Sequence, residues 1–385
     1  MIRYLSAGES HGPGLTVIVE GFPSNLTVSK EAIDEQLMKR QQGYGRGRRM
    51  QIETDQVEVT SGVRFGKTLG SPITMQVINR DFKNWTERMS VWQEPPEDLK
   101  LVTRPRPGHA DLAGAIKYDH EDIRNVLERA SARNTATIVA AGALARQLLS
   151  AFGIDIAAHV VEIGGETVSQ LPDDWDELVA KTESSPVRVA DADAEAKMMA
   201  KIDEAKANGD TVGGIFEIVV RGCPIGLGSY VHPDRKLDGR LAGTIMSIQA
   251  IKGVEIGLGF SVAHHFGSRV HDPIAYDGTR YLRPSNGAGG LEGGVTNGEP
   301  IVLRAAMKPI STLYKPLNSV DMLTKQTEPA AVERSDYCAV PAASVVAENV
   351  VAWVIAEAFL EKFGGDSMEQ LRERFDAYEK RVSAR

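Results

Sequence analysis

Arginine is concentrated where glycine leaves it room to reach a ligand. The stretch RQQGYGRGRR at 40–49 carries four arginines, Arg40 and Arg46 among them, in a chain whose formal charge is −8. Guanidinium forks match carboxylate and phosphate oxygens two at a time. Arg106-Pro107-Gly108-His109-Ala110-Asp111 puts a cation, a histidine and an acid on a proline-stiffened turn. Ser10 and His11 lie among small residues in GESHGPG at 8–14, where an imidazole can approach a ligand and exchange protons near neutral pH. Arg129 and Arg133 stand four apart around Ala130 and Ser131, on one face of a predicted helix. Lys308-Pro309-Ile310-Ser311-Thr312 offers a cation and two hydroxyls that could hold a cofactor phosphate, and Arg334 and Asp336 follow.

Each segment has a plainer reading. The arginine loop could bind RNA, but it lies between a helix and a well-patterned strand in an acidic protein, which favours small anions over nucleic acid. His109 with Asp111 could begin a metal site, as could His264, His265 and His271. None has a further ligand at fitting spacing, so no metal is expected. GVRFGKT at 62–68 has three residues between its glycines where a phosphate-binding Walker loop needs four. NGAGGLEGG at 286–294 lacks the spacing and the strand–helix context of a dinucleotide fingerprint.

The elements that must position these residues follow from pattern. Leu15–Glu20 and Gln51–Thr60 read as half-buried strands, and Ser29 caps a helix that Gly43 follows. Ile123–Phe152 reads as one long Ala- and Leu-rich helix ended by Gly153. Pro341 suits the first turn of another, ending at Gly364-Gly365, and Met368–Val382 is a charged amphipathic helix. Glu348, Glu357 and Glu361 interrupt the most apolar stretch, Val345–Phe363, which therefore reads as a buried helix and not a membrane span. The acidic segment from Asp173 to Ala207 looks like an exposed excursion.

Hydrophobic residues at 42% and charged residues at 25% exclude wholesale disorder. Strands and helices mix without regular βαβ spacing, so an α+β fold is expected, as one integrated domain over 1–385. Two distant cysteines, Cys223 and Cys338, fit a reducing compartment, and the first residues lack a signal-peptide core; a cytoplasmic location is expected.

In their order the segments resemble the chorismate synthase family. The matching blocks are GESHG at 8–12, RQQGYGRGRRM at 40–50, SGVRFGKTLGSPI at 61–73, RPGHAD at 106–111 and ERASAR at 128–133. They continue as QAIKGVEIG at 249–257, NGAGGLEGG at 286–294, KPIST at 308–312 and RSDYCAVPAAS at 334–344. Gln249 and Asn134 depart from what many relatives carry. The resemblance implies a carbon–oxygen lyase that removes phosphate from 5-enolpyruvylshikimate 3-phosphate by anti 1,4-elimination. It would need fully reduced FMN without net redox change, in the pathway to aromatic amino acids.

The resemblance also implies roles. Ser10, Arg40, Arg46, Arg106 and Arg133 would meet the substrate or NADP. FMN would be held by Arg129, Ala130, Ser131, Gln249, Ala250, Gly293, Lys308, Pro309, Ile310, Ser311, Thr312 and Arg334. His109 would protonate the departing phosphate, His11 would keep the reduced flavin suitably protonated, and Asp336 would relay a proton. The implied fold is a β-α-β sandwich, with helices between two antiparallel sheets, assembled as a homotetramer. No extra segment resembles a reductase site, so external reduction of the flavin is expected over reduction by NADPH. A net hydride-transferring FMN oxidoreductase and an RNA-binding protein are the rival readings.

Overall fold

The computed structural model describes residues 2–47, 55–333 and 335–385. Alternation of side chains builds the first sheet. It comprises β1 (Arg3–Ala7), β2 (Gly14–Glu20), β3 (Val57–Ser61) and β4 (Ile73–Ile78), antiparallel in the order β1-β2-β4-β3. Leu15, Val17 and Val19 pair with Val77, Met75 and Ile73, and all six are buried on one face. The second antiparallel sheet contains β5 (Asp155–Ile163), β6 (Glu166–Thr167), β7 (Gly214–Arg221), β8 (Ile251–Ile256) and β9 (Ile301–Met307), in the order β8-β9-β7-β5-β6. Phe216, Ile218 and Val220 turn inward opposite Ala305, Leu303 and Ile301.

Helices fill the space between the sheets. α1 (Lys30–Gln41) starts at Ser29, whose Oγ accepts Ala32 N–H at 3.1 Å. On the way to the central helix lie α2 (Asp111–Tyr118) and α3 (Arg124–Ala130). α4 (Thr135–Ser150) packs on strands of both sheets and on the long C-terminal-half helix, Val340–Phe363. Gly142 makes that helix contact possible: a Cβ there would come within 2.3 Å of the Asn349 carbonyl oxygen. The fold is thus the expected α+β sandwich, with helices between two antiparallel sheets.

Two stretches depart from the sequence reading. The segment 123–152 is not one helix: Ser131 is extended at ψ 141°, ending α3, and a short 3₁₀ turn, Ala132–Asn134, precedes α4. Residues 173–207 are less exposed than their composition suggests. They form α5 (Trp175–Ser184) and α6 (Ala192–Ala207), and Ala194, Met198 and Ile202 bury one stripe of α6. After α7 (Leu237–Met246) the chain returns to the second sheet. Residues 51–54 of the expected strand 51–60 lie outside the described residues.

The remaining helices match expectation closely. α8 (Val340–Phe363) has Pro341 in its first turn and ends at Gly364, φ +61°. It is long and apolar enough to cross a membrane, yet 94% of its most apolar window is buried within the protein. Glu348, buried on this helix, accepts from Arg146, Arg188 and the Ala158 N–H at 3.1, 2.7 and 2.8 Å, which compensates the charge. α9 (Met368–Ser383) covers the end of α8.

Candidate active site

Two arginines from different helical segments converge on one buried acid. Arg40 Nη2 and Arg133 Nη1 reach Asp55 Oδ2 at 2.7 and 2.5 Å, and all three residues are buried. Burial opposes the charge on Asp55, but the two guanidinium groups outweigh it and hold the carboxyl below its ordinary range. Within this trio one carboxylate faces two guanidinium groups. Burial, with Arg133 and Arg46 nearby, pushes Arg40 down from its ordinary value, so a further anion here would relieve an existing penalty.

The break at Ser131 explains why Arg129 and Arg133 part company. With α3 ended, Arg133 turns into the Asp55 cluster, while Arg129 reaches Ser6 and Gly8 carbonyl oxygens at 2.9 and 3.2 Å on the outside. Ser131 Oγ accepts Arg133 N–H and lies 3.2 Å from Ser10 Oγ. That contact ties the loop bearing His11 to the arginine turn.

Each histidine has its own carboxylate. His11 Nδ1 lies 2.8 Å from Glu128 Oε1, and the indole of Trp85 packs on the imidazole at 4.0 Å between centroids. His109 Nδ1 lies 2.5 Å from Asp111 Oδ1, whose Oδ2 accepts Arg106 Nε at 2.8 Å. Asp111 is fully buried at the start of α2, and its bonds from His109 and Arg106 overcome burial and hold its carboxyl well below the carboxylate range. Arg106 Nη1 continues to Thr312 Oγ1 at 2.9 Å, and Lys308 Nζ bonds the Gly108 carbonyl oxygen. The expected cofactor segment and the Arg106–His109 turn therefore share one hydrogen-bond network.

Arg46 and Asp336 also meet, with Gly47 N–H donating to Asp336 Oδ1 at 2.7 Å. α6 supports this loop: Tyr44 Oη donates to Asp203 at 3.0 Å, and a Cβ on Gly45 would come within 2.8 Å of Ile202.

These groups line one cleft of about 1460 Å³, larger than the roughly 300–1,000 Å³ that one small ligand usually fills. Ser10, Arg40, Arg46, Arg106 and Arg133 open onto it, as do His11, His109 and Asp336. Ala130, Ser131, Gln249 and Ala250 line it, with Lys308, Ile310, Ser311 and Thr312. Among the described residues, Gln249 Oε1 is buried there without a hydrogen-bond partner, as are the Nε atoms of Arg40 and Arg46. Ala250 holds φ +67°, a left-handed conformation costly for a residue with a Cβ, and its carbonyl accepts Lys308 N–H at 2.9 Å.

Not every expected residue joins them. Arg129 and Pro309 do not line the cleft. Gly293 turns a two-residue hairpin near Tyr230, outside it. Arg334 lies outside the described residues. Sequence reasoning missed Asp55 and Trp85, and it assigned Glu128 and Asp111 no site role. Asp111 was within reach, being two positions from His109. Both thiols are buried, and burial pushes each up to about 12, so neither is a nucleophile here.

Buried cations beside two carboxylate-paired histidines, in a cleft of this size, suit an enzyme site that takes a small anionic ligand. The chorismate synthase family model matches residues 2–360. The chain is 58% identical to "Chorismate synthase" of Geobacter metallireducens and to "Chorismate synthase 1" of Bacillus cereus, with 98% of each chain covered in both comparisons. A solved structure titled "Crystal Structure of Chorismate Synthase" superposes with a TM-score of 0.81 at 44% identity, covering 100% of this chain and 99% of that one. The chain belongs to the chorismate synthase family.

Proposed function

We propose that this protein eliminates phosphate from 5-enolpyruvylshikimate 3-phosphate to give chorismate, as a carbon–oxygen lyase dependent on reduced FMN. The observation that carries the reading is the Arg40–Asp55–Arg133 cluster: two buried guanidinium groups share one carboxylate and open on a cleft with volume for substrate and cofactor together. With Arg46 and Arg106 they supply cations for one phosphate and two carboxylates. Ala130, Ser131, Gln249, Ala250, Lys308, Ile310, Ser311 and Thr312 fit FMN, since they line the same cleft and Gln249 Oε1 there lacks a partner among the described residues. When bound in its fully reduced form, FMN supplies transient electron density that helps the C–O bond break, with no net redox change.

Contacts support a division of labour between the histidines. His11 adjoins Ser10 on the substrate side, so Nε2 of His11, once the ring carries a second proton, is the donor to the departing phosphate. His109 adjoins Gly108, whose carbonyl oxygen accepts from Lys308 of the cofactor segment, so His109 exchanges its proton on the cofactor side. This is the reverse of the roles the family resemblance implied. Asp336 accepts a proton through Oδ2 once Arg46 has turned to a substrate anion.

We also propose a cytoplasmic homotetramer whose flavin is reduced externally. Light scattering giving a single-chain mass near 41.7 kDa would contradict the tetramer. The reaction itself is tested by anaerobic mixing with substrate and chemically reduced FMN. Release of chorismate and phosphate is expected, and equal turnover with oxidised FMN alone would contradict the proposal.

A further inference from the structure

Glu128 stands outside the arginine clusters, yet it controls the loop that bears His11. It lies in α3 at 2% exposure, and a carboxylate so buried needs compensating bonds. Oε1 meets His11 Nδ1 at 2.8 Å, and Oε2 accepts the His11 backbone N–H at 2.7 Å. The Glu128 backbone carbonyl accepts Ser10 N–H at 3.0 Å. One residue therefore fixes both backbone donors of Ser10-His11 and one nitrogen of the ring.

Other contacts fit a positioning role. Trp85 covers the imidazole, and its own Nε1 donates to Asp81 Oδ2 at 3.2 Å. Arg124 donates to Glu128 at 3.1 Å and to Glu333 at 3.0 Å, so the buried carboxylate has a cation besides the histidine. Burial raises the Glu128 carboxyl, but its bonds from His11 and Arg124 prevail and keep it below the ordinary range, hence ionised. Among the described residues, the charged groups around the imidazole are Arg124 and Glu128 of α3, Asp81 of the 3₁₀ turn Arg80–Asn84, and Glu333, with Glu9 in the histidine's own loop.

We infer that Glu128 is a positioning residue for His11, holding the ring in the tautomer with its proton on Nδ1 and so reserving Nε2 for exchange with the substrate. An ionised carboxylate only accepts hydrogen bonds, so the nitrogen facing it must donate. The same logic orients the histidine of hydrolase triads, where an amide in place of the acid selects the wrong tautomer. The inference rests on the role proposed above for His11.

Glu128→Gln separates this role from simple charge compensation of Arg124. A glutamine has one acceptor oxygen for two His11 donors, and its NH₂ turned to Nδ1 would force the proton onto Nε2. The expected result is a loss of about 10²-fold in kcat, with the substrate KM changed by roughly two-fold or less. Nitrogen NMR of ring-¹⁵N-histidine protein without ligands, with His11 assigned by His11→Gln, should show Nδ1 protonated in the wild type and Nε2 protonated in the variant. Unchanged kcat in a folded Glu128→Gln protein would overturn the inference. So would a wild-type spectrum in which the neutral His11 carries its proton on Nε2, a result that needs no variant to fold. Failure of the wild type to release phosphate would instead overturn the proposed function, leaving the tautomer measurement valid.

Discussion

Arg46 Nη1 and Asp336 Oδ2 meet at 2.7 Å across 290 positions of sequence. Without a ligand, the loop cation thus occupies the acid proposed to accept a proton. On the proposed mechanism, substrate anions would compete for Arg46, and their binding would free Asp336 Oδ2. Arg46→Ala should weaken substrate binding by about 1.5–3 kcal/mol, the range for a charge-assisted bond, while FMN affinity changes little. Titration of each ligand separately checks this, and equal losses for both would show that the loop does not face the substrate.

The proposed histidine roles predict different defects. His11→Ala and Asp336→Ala should each lower kcat by ~10²–10⁴-fold at saturating substrate and reduced FMN. His109→Ala should also lower kcat, and in addition should alter the absorbance of bound reduced FMN as pH is varied. Rapid-mixing absorbance spectroscopy reads both. A changed flavin spectrum in His11→Ala and not in His109→Ala would restore the opposite assignment.

Asp55→Asn should be severe, because it removes the charge that two buried arginines share. A cost of about 3–5 kcal/mol is expected near neutral pH. The folded-state carboxyl lies below its unfolded value, so its contribution is complete above the ordinary Asp value of about 3.9 and is lost as pH falls through the lower folded value. Asp111 and Glu128 shift in the same direction and add to the acid sensitivity. Thermal melts from pH 7 to 3 should show the gap between wild type and Asp55→Asn narrowing only below about pH 4. A gap that widens on acidification would contradict the cluster.

Ala250 predicts its own pair of outcomes. At φ +67° a glycine is unstrained, whereas a β-branched side chain is a conformational outlier. Ala250→Gly should leave the melting temperature nearly unchanged, and Ala250→Val should cost roughly 1–3 kcal/mol and weaken FMN binding. Equal stability of the two variants would show that the backbone relaxes freely there.

Much of the frame is legible because local pattern and tertiary role agree. Leu15, Val17 and Val19 alternate as a half-buried strand must, Ser29 has the side chain of an N-cap, and Pro341 tolerates a first turn. The break at Ser131 was hidden because Ala- and Leu-rich sequence flanks it on both sides, while contacts to distant Ser10 accompany the extended conformation. Asp55 was equally hidden: its partners stand 15 and 78 positions away, and nothing local marks a lone acid as their counter-charge. The buried stripe of α6 escaped notice because its charged surface dominates the composition of residues 173–207. The segments of the cleft were visible as motifs, but which of their side chains enter it depended on where the helix stopped.

The central claim is tested most directly by reductant stoichiometry. Enzyme, substrate and a limiting amount of reduced FMN are mixed under strict anaerobiosis, and chorismate, phosphate and remaining reduced flavin are measured together. The account predicts chorismate and phosphate in equal amounts, far exceeding the reduced flavin supplied, which remains reduced at the end. Product capped at one equivalent per reduced flavin, with the flavin left oxidised, would contradict it.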